Sequence, residues 1–175
     1  HWDHAKIHLA KDFPENFGDA YWVWAPQCIY DREAKKYMIY FTLQRSDRRS
    51  LITYYAYANE DFTGFESEPR QLFAAKYGSI DNDIIYKDGV YHLFYKGNTK
   101  DENGHEYKNG IQQATSKSLM GPWVEDFKYL DAYADTHTAV EGSGVFKLND
   151  KEEYVLMYDL YGSGRYEFQR STDLY

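Results

Sequence analysis

Two acidic residues stand at the start of an apolar strand in the stretch SIDNDIIYKDGVYHLFYKG, residues 79–97. Asp81 and Asp83 have the same parity, so in an extended strand both side chains point to one face of a sheet. Such a pair could take part in proton transfer, or it could be a solvated loop or a turn cap. Similar strand entries elsewhere in the chain favour the chemical interpretation.

The elements that would position these carboxylates are predicted to be β-strands. Aromatic residues make up 19% of the 175 residues, including 19 Tyr and 4 Trp, and the good helix formers show no sustained amphipathic run. We therefore expect an all-β protein. The aromatic side chains would serve a β-rich core, and they would also suit a surface that stacks on sugar rings.

Charge and cysteine content exclude several classes of partner and site. The net charge is −8 without a basic cluster, which disfavours nucleic acid. No apolar run has the length of a membrane span, so the chain as given is expected to be soluble and to have no membrane partner. Cys28 is the single cysteine and allows no internal disulfide.

One order of strands recurs three times along the chain. The second strands YMIYF, YHLFY and YVLMY begin at Tyr37, Tyr91 and Tyr154, about 55 to 65 residues apart, a spacing typical of propeller blades. A sandwich with similar strands is the alternative. We expect a single, partial β-propeller domain of four-stranded antiparallel blades: an outer strand and loop of a preceding blade (1–20), two blades (21–75 and 76–135) and an incomplete blade (136–175).

The first ten residues admit a second interpretation. His1 to Ala10 alternates loosely and is predicted to form one short strand. That strand belongs to an earlier blade if the chain is a piece of a longer propeller, which we favour. Otherwise it supplies the missing outer strand of the last blade.

Three motifs open the innermost strands of the three units: Trp24-Ala25-Pro26-Gln27, Ser79-Ile80-Asp81-Asn82-Asp83 and Val140-Glu141-Gly142-Ser143. With the tails Ser116 to Leu119, Gly121-Pro122-Trp123 and Ser171 to Leu174, they resemble glycoside hydrolase family 43. That family consists of five-bladed propeller enzymes that remove arabinose, xylose or sometimes galactose from plant polysaccharides. The resemblance implies that this chain holds about three of five blades.

The resemblance also implies roles for two carboxylates. Glu141 matches the general acid of the family, and Asp81 matches the carboxylate that sets the pKa of the acid and holds it in place. Inverting hydrolysis needs a base on the other side of the sugar, with the carboxyls about 6.5–9.5 Å apart. In the family that base is an Asp of the first blade, which we expect to precede this chain, so the 175 residues alone should be inactive.

Two positions depart from the family pattern. Asn82 and Ser143 stand where the family usually has Pro after the carboxylates, which affects the local backbone that aims them. Asp83 is the alternative to Asp81 if the strand register is shifted by two.

Four further residues are candidates for binding sugar. Trp22 and Trp24 could form a wall of the sugar subsite or pack in the core. His137 could line the funnel, and Arg165, after the flexible Gly162-Ser163-Gly164, could reach a substrate hydroxyl or the acid; either could equally be a plain loop residue.

No cofactor is expected to be required. The His residues lack the spacing of a zinc site such as H-E-x-x-H. A structural calcium ion on the propeller axis, as in some relatives, is compatible with the sequence.

The leading hypothesis is an exo-acting glycosidase of the arabinofuranosidase or xylosidase kind with an oligo- or polysaccharide substrate. The alternatives are a non-catalytic glycan-binding propeller and a scaffold propeller whose carboxylates lie far apart. The resemblance implies an extracellular or periplasmic protein. The sequence identifies neither the sugar nor the oligomeric state.

Overall fold

The computed structural model describes residues 1–48, 51–100, 106–133, 136 and 138–175, and it divides into two compact units, His1–Ala74 and Ala75–Tyr175. Almost all regular structure is β-strand, as expected from the aromatic and β-branched composition. Among the described residues, no helix has the length and apolarity needed to cross a membrane.

The first unit contains one antiparallel sheet with its four strands in sequence order. The strands are β1 (Ala20–Asp31), β2 (Lys36–Arg45), β3 (Leu51–Tyr57) and β4 (Arg70–Phe73). Strand β4 is short and lies at the edge of the sheet, directly after Pro69, which matches the predicted edge position because proline cannot donate to a ladder.

The start of the chain differs from the prediction. No strand forms in residues 1–19; instead two single-turn helices are present, α1 (Leu9–Asp12) and α2 (Pro14–Phe17). Leu9 and Phe17 are buried against Phe41 and Leu43 of β2. The apolar residues at 9, 13 and 17 have helical spacing, which outweighs the loose alternation that predicted a strand.

In the described part of the second unit there are two antiparallel sheets. One is four-stranded in the order β5-β6-β7-β8, and the other is three-stranded in the order β11-β10-β9. The strands are β5 (Ser79–Lys87), β6 (Val90–Lys100), β7 (Glu106–Ser116), β8 (Val124–Asp126), β9 (Glu141–Lys147), β10 (Tyr154–Leu160) and β11 (Arg165–Ser171). The last sheet thus has three strands among the described residues.

Part of the loop predicted between Asn98 and Asn109 is strand. Strand β6 continues to Lys100 and β7 begins at Glu106, and these two residues pair in register. Ladder pairing here overrides the polar composition that indicated a loop.

A shared core holds the two sheets of the second unit together. Phe94 and Ile111 from the four-stranded sheet pack against Tyr154, Leu156 and Tyr158 of β10. Because these side chains are almost fully buried, the two sheets have a fixed relation, and the first strands β5 and β9 lie side by side.

Candidate active site

The first strand of every sheet carries a one-residue β-bulge. At each bulge, two paired residues are three positions apart on the first strand but only two positions apart on the neighbouring strand. The bulges lie between Trp24 and Gln27, between Ile80 and Asp83, and between Glu141 and Gly144. Each bulge contains one residue with positive φ: Ala25 (48°), Asp81 (55°) and Gly142 (69°). Bulges bend a strand and redirect side chains, so the three predicted motifs coincide with three equivalent kinks.

Asp81 is tied to the strand that carries Glu141. Its Oδ2 atom accepts a hydrogen bond of 2.8 Å from the backbone N–H of Gly142, the residue directly after Glu141. The hydroxyl of Ser143 donates to the backbone carbonyl of Asp81. Ser143 therefore cross-links β5 and β9 at the position where the family pattern has Pro.

The surroundings of Asp81 raise the pKa of its carboxyl. Burial is the largest cause, and the charge of Glu141 acts in the same direction. The N–H of Gly142 and the ammonium of Lys96 oppose the shift by stabilising the ionised form. The two carboxylates thus lie close enough to interact electrostatically, as the predicted pairing of Asp81 with Glu141 requires.

Glu141 is paired with a residue that the sequence did not single out. The Nζ atom of Lys96 lies 2.9 Å from Oε2 of Glu141, and the two side chains are 17% and 35% exposed. Lys96 is on β6 and lies opposite Ile80 of β5. Its ammonium is also 4.6 Å from the ring centroid of Tyr161. Two carboxylates and one ammonium therefore meet where β5, β6 and β9 converge.

Asp83 makes a backbone contact further along the same strands. Its Oδ2 atom accepts a hydrogen bond of 2.7 Å from the N–H of Val145. This contact pairs a backbone donor that points away from the sheet of β9. Asp83 is thus engaged in holding β5 against β9, whereas Asp81 is the carboxylate beside Glu141.

Trp22 and Trp24 lie on β1 in the first unit. Their rings stack with centroids 5.9 Å apart and an interplanar angle of 11°, and Tyr21 contacts Trp22 edge-on. Trp22 is 49% exposed, so this pair presents an aromatic surface to solvent. Such a surface is compatible with the predicted sugar-binding wall, and it is not part of a buried core.

The remaining candidates are less informative. Arg165 begins β11, two strands from β9, and its guanidinium donates to the Tyr133 hydroxyl at 3.2 Å. The Tyr133 hydroxyl in turn donates to Glu167. Arg165 is therefore engaged with Tyr133, and its predicted contact with substrate stays a prediction. His137 lies outside the described residues.

The described residues contain no group of three His, Cys, Asp or Glu side chains that could hold a metal ion. The calcium ion that the sequence left open stays a prediction. The site contains two carboxylates and one ammonium, groups that can hold and transfer a proton.

Sequence comparison identifies a family. Residues 1–175 match the family described as "Probable glycosyl hydrolase domain", which is related to glycoside hydrolase family 43. Among curated proteins, none matches the sequence.

Solved structures of glycoside hydrolases share the fold. An endo-arabinase from Bacteroides thetaiotaomicron has a TM-score of 0.65 and 19% identity, over 85% of this chain and 55% of its own. A family 43 arabinoxylan arabinofuranohydrolase from Bacillus subtilis has a TM-score of 0.59 and 16% identity, over 88% and 35%. A xylan β-1,4-xylosidase from Bacillus halodurans has a TM-score of 0.57 and 16% identity, over 77% and 26%.

These likenesses confirm the predicted fold class. The three antiparallel sheets are blades of a family 43 type propeller, about three of the five expected. The chain spans about half the length, or less, of the solved structures that it matches.

Proposed function

The chain belongs to the glycosyl hydrolase family related to glycoside hydrolase family 43, and we propose that the whole protein removes terminal arabinofuranosyl, xylosyl or related residues from plant polysaccharides. The reaction is a single displacement with inversion at the anomeric carbon. A base activates water on one side of the sugar, and an acid protonates the leaving oxygen on the other.

In this proposal Glu141 is the general acid and Asp81 is the residue that positions it. Protonation by Glu141 breaks the bond between the anomeric carbon and the glycosidic oxygen, and the electron pair stays on that oxygen. The base removes a proton from the attacking water, whose oxygen forms the new bond to the anomeric carbon. We propose that this base is an Asp on a blade outside the 175 residues.

The single observation that carries the proposal is the hydrogen bond from Gly142 N–H to Asp81 Oδ2. It holds a carboxylate of β5 against the residue next to Glu141. Because Asp81 sits at a bulge with positive φ, its side chain leaves the ordinary alternation of the strand and turns toward β9. Charge–charge interaction with Glu141 follows from this placement.

The salt bridge to Lys96 must change during the reaction. A salt bridge joins ionised groups, whereas a general acid must carry a proton when the bond breaks. We propose that the arriving sugar displaces the Lys96 ammonium from Glu141. Lys96 then remains near Asp81, whose pKa it lowers, and near the ring of Tyr161.

The proposed substrate class follows the names of the similar solved structures. Three of these relatives are an endo-arabinase, an arabinoxylan arabinofuranohydrolase and a xylan β-1,4-xylosidase. Their sequence identities of 16–19% support a shared fold and do not choose among these sugars. Aryl arabinofuranosides and aryl xylosides are therefore the first substrates to test.

The test compares Glu141→Gln with the unchanged sequence in the full-length protein. Loss of a general acid costs about 10²- to 10⁴-fold in rate on natural linkages, whose leaving groups are poor. Substrates with good leaving groups need little protonation and should lose much less. Full activity of Glu141→Gln on a natural linkage would show that the acid is another residue.

A glycan-binding propeller without catalysis is the second candidate. The observation that favours it is the Lys96–Glu141 salt bridge, because a permanently paired carboxylate is a poor proton donor. In that case the full-length protein would bind arabinan or xylan without releasing sugar. The Glu141→Gln change would then alter binding and leave no rate to measure.

A further inference from the structure

A cleft of about 400 Å³ lies in the first unit, at the end of the sheet where β1 turns into β2. Three aromatic side chains line it: Tyr30 of β1, Tyr37 of β2 and Phe62 of the loop after β3. We propose that this cleft is a second carbohydrate site, which binds a neutral sugar unit of a polysaccharide. The proposal does not depend on the chemistry of Glu141.

The rings form a row that is open to solvent. Tyr30 and Tyr37 have centroids 5.0 Å apart, and Tyr37 and Phe62 have centroids 5.3 Å apart. The three residues are 47%, 47% and 53% exposed. Exposed contiguous aromatic surface usually marks a binding site, and aromatic faces suit the apolar C–H faces of sugar rings.

The backbone at Phe62 is strained, and its ring is exposed at the cleft. Phe62 has a φ of 55°, which is uncommon for a bulky residue. Asn59 stabilises this loop: its Oδ1 atom accepts hydrogen bonds from the N–H groups of Thr63 (2.8 Å) and Gly64 (3.0 Å). Because the ring stays half exposed, core packing does not offset the strain, which is typical of a functional position.

The polar lining suits an uncharged ligand. The cleft contains two cationic and two anionic side chains, and one pair of these, Lys36 and Glu66, forms a salt bridge of 2.5 Å. The other two are Lys35 and Glu60. The lining thus has no formal net charge, while donors and acceptors remain for sugar hydroxyls. Its volume lies within the range of small-ligand sites.

The cleft and the stacked tryptophans occupy different parts of the same strand. Trp24 precedes the bulge of β1, and Tyr30 lies six residues later, next to the turn. At about 3.3 Å per residue, the two are separated by about 20 Å of strand. A polysaccharide could therefore contact the first unit at two separate places.

Affinity gel electrophoresis of the full-length protein tests the proposal. Soluble arabinan and arabinoxylan are the neutral probes, polygalacturonic acid is the charged comparator, and every variant also carries Glu141→Gln so that no probe is consumed. We expect neutral probes to retard migration. Tyr37→Ala and Phe62→Gly should each weaken binding by about tenfold, since each removes one stacking ring.

Two matched variants control for surface change and folding. Phe168→Ala removes an aromatic ring of β11 that is 62% exposed, and it should leave retardation unchanged. Phe62→Trp keeps an aromatic ring and should retain binding. Phe62→Gly accepts the positive φ, so its thermal unfolding midpoint should be no lower than that of Phe168→Ala.

The proposal is wrong if Tyr37→Ala and Phe62→Gly bind the neutral probes as tightly as Phe168→Ala does. It is equally wrong if no neutral polysaccharide retards the protein, or if polygalacturonic acid is preferred. Because the readout is binding, a failure of the hydrolase proposal leaves this test intact. Unchanged binding in Tyr37→Ala would contradict the cleft alone and would leave the assignment of Glu141 untouched.

Discussion

The ammonium of Lys96 on β6 lies 2.9 Å from the Oε2 atom of Glu141, the first residue of β9. A cation from one sheet therefore pairs with a carboxylate of the next. Asp81 lies beside this pair, and the charges of Glu141 and Lys96 act on its pKa in opposite directions. The three residues form one electrostatic unit across β5, β6 and β9. A change in Glu141 or Lys96 should therefore be measurable in the titration of Asp81.

Replacement of Lys96 by Met should raise the pKa of Asp81 further. The change keeps an apolar stem and removes the ammonium that stabilises ionised Asp81. It should also lower the free energy of unfolding by about 1 kcal/mol, because the lost ion pair is partly exposed. Carboxyl-carbon NMR titration measures the pKa, and urea denaturation measures the stability.

Lys147→Met is the matched control for this change. Lys147 forms a salt bridge of 2.6 Å with Glu152 at the β9–β10 turn, and it is not among the groups that shift Asp81. Identical titration of Asp81 in the two variants would contradict the described electrostatic unit.

Replacement of Asp81 by Asn should stabilise the protein at neutral pH. The pKa of Asp81 is raised above its ordinary 3.8, so its contribution to stability is present below that value and is lost as pH rises through the folded-state pKa. Asn still offers an oxygen to the N–H of Gly142 and tolerates positive φ. The gain should appear in urea denaturation at pH 7 and shrink toward pH 3.8.

Asp88→Asn provides a control of opposite sign. Asp88 also has positive φ, but the ammonium of Lys87 lowers the pKa of its carboxyl. Its contribution is present at neutral pH and lost as pH falls through the folded-state pKa. A gain in stability from Asp88→Asn at pH 7, or none from Asp81→Asn, would contradict this account.

Replacement of Asp83 by Ala should destabilise the second unit by about 1–3 kcal/mol, because the N–H of Val145 loses its partner. Asp83→Asn retains an acceptor and should cost less. Chemical denaturation followed by tyrosine and tryptophan fluorescence measures both. Equal losses in the two variants would show that the negative charge of Asp83, and not its hydrogen bond, holds β5 to β9.

Replacement of Gly142 by Ala should cost about 1–2 kcal/mol, because φ at this position is +69°. The added Cβ would lie 3.7 Å from Cβ of Asp159, an ordinary contact, so the penalty is conformational. Gly144→Ala on the same strand is the control: its Cβ would meet only the flexible end of Met157 at 3.4 Å. Thermal denaturation should show a clear loss for Gly142→Ala alone.

The sequence predicted the sheets better than it predicted their contacts. The repeated second strands and the three motifs located the blades, since both depend on local pattern. The role of Lys96 was not predicted, because this residue follows the apolar run YHLFY and lies 45 residues from Glu141 in sequence. Lys96 and Glu141 come together through long-range contacts: the packing of Phe94 and Ile111 against β10 and the hydrogen bonds between β5 and β9.

The same limit explains the first residues and the aromatic cleft. Leu9 and Phe17 have helical spacing, but Pro14 and the short length hid two single-turn helices. The positive φ of Phe62 could not be predicted from the sequence, because phenylalanine rarely adopts this backbone conformation. Asn59 could have suggested a tight turn, though not the ring that the turn presents.

The bulges in β1, β5 and β9 determine where insertions and deletions should affect the protein. Three steps of β5 oppose two steps of β6 at this bulge, so deleting Asn82 would leave a regular ladder in which Ile80 still lies opposite Lys96. Loss of the kink would also undo the turn of Asp81 toward Gly142. We therefore expect insertions and deletions to be tolerated at the hairpin tips, whereas close to Asp81 and Gly142 they should remove the contact between β5 and β9 that places Asp81 beside Glu141.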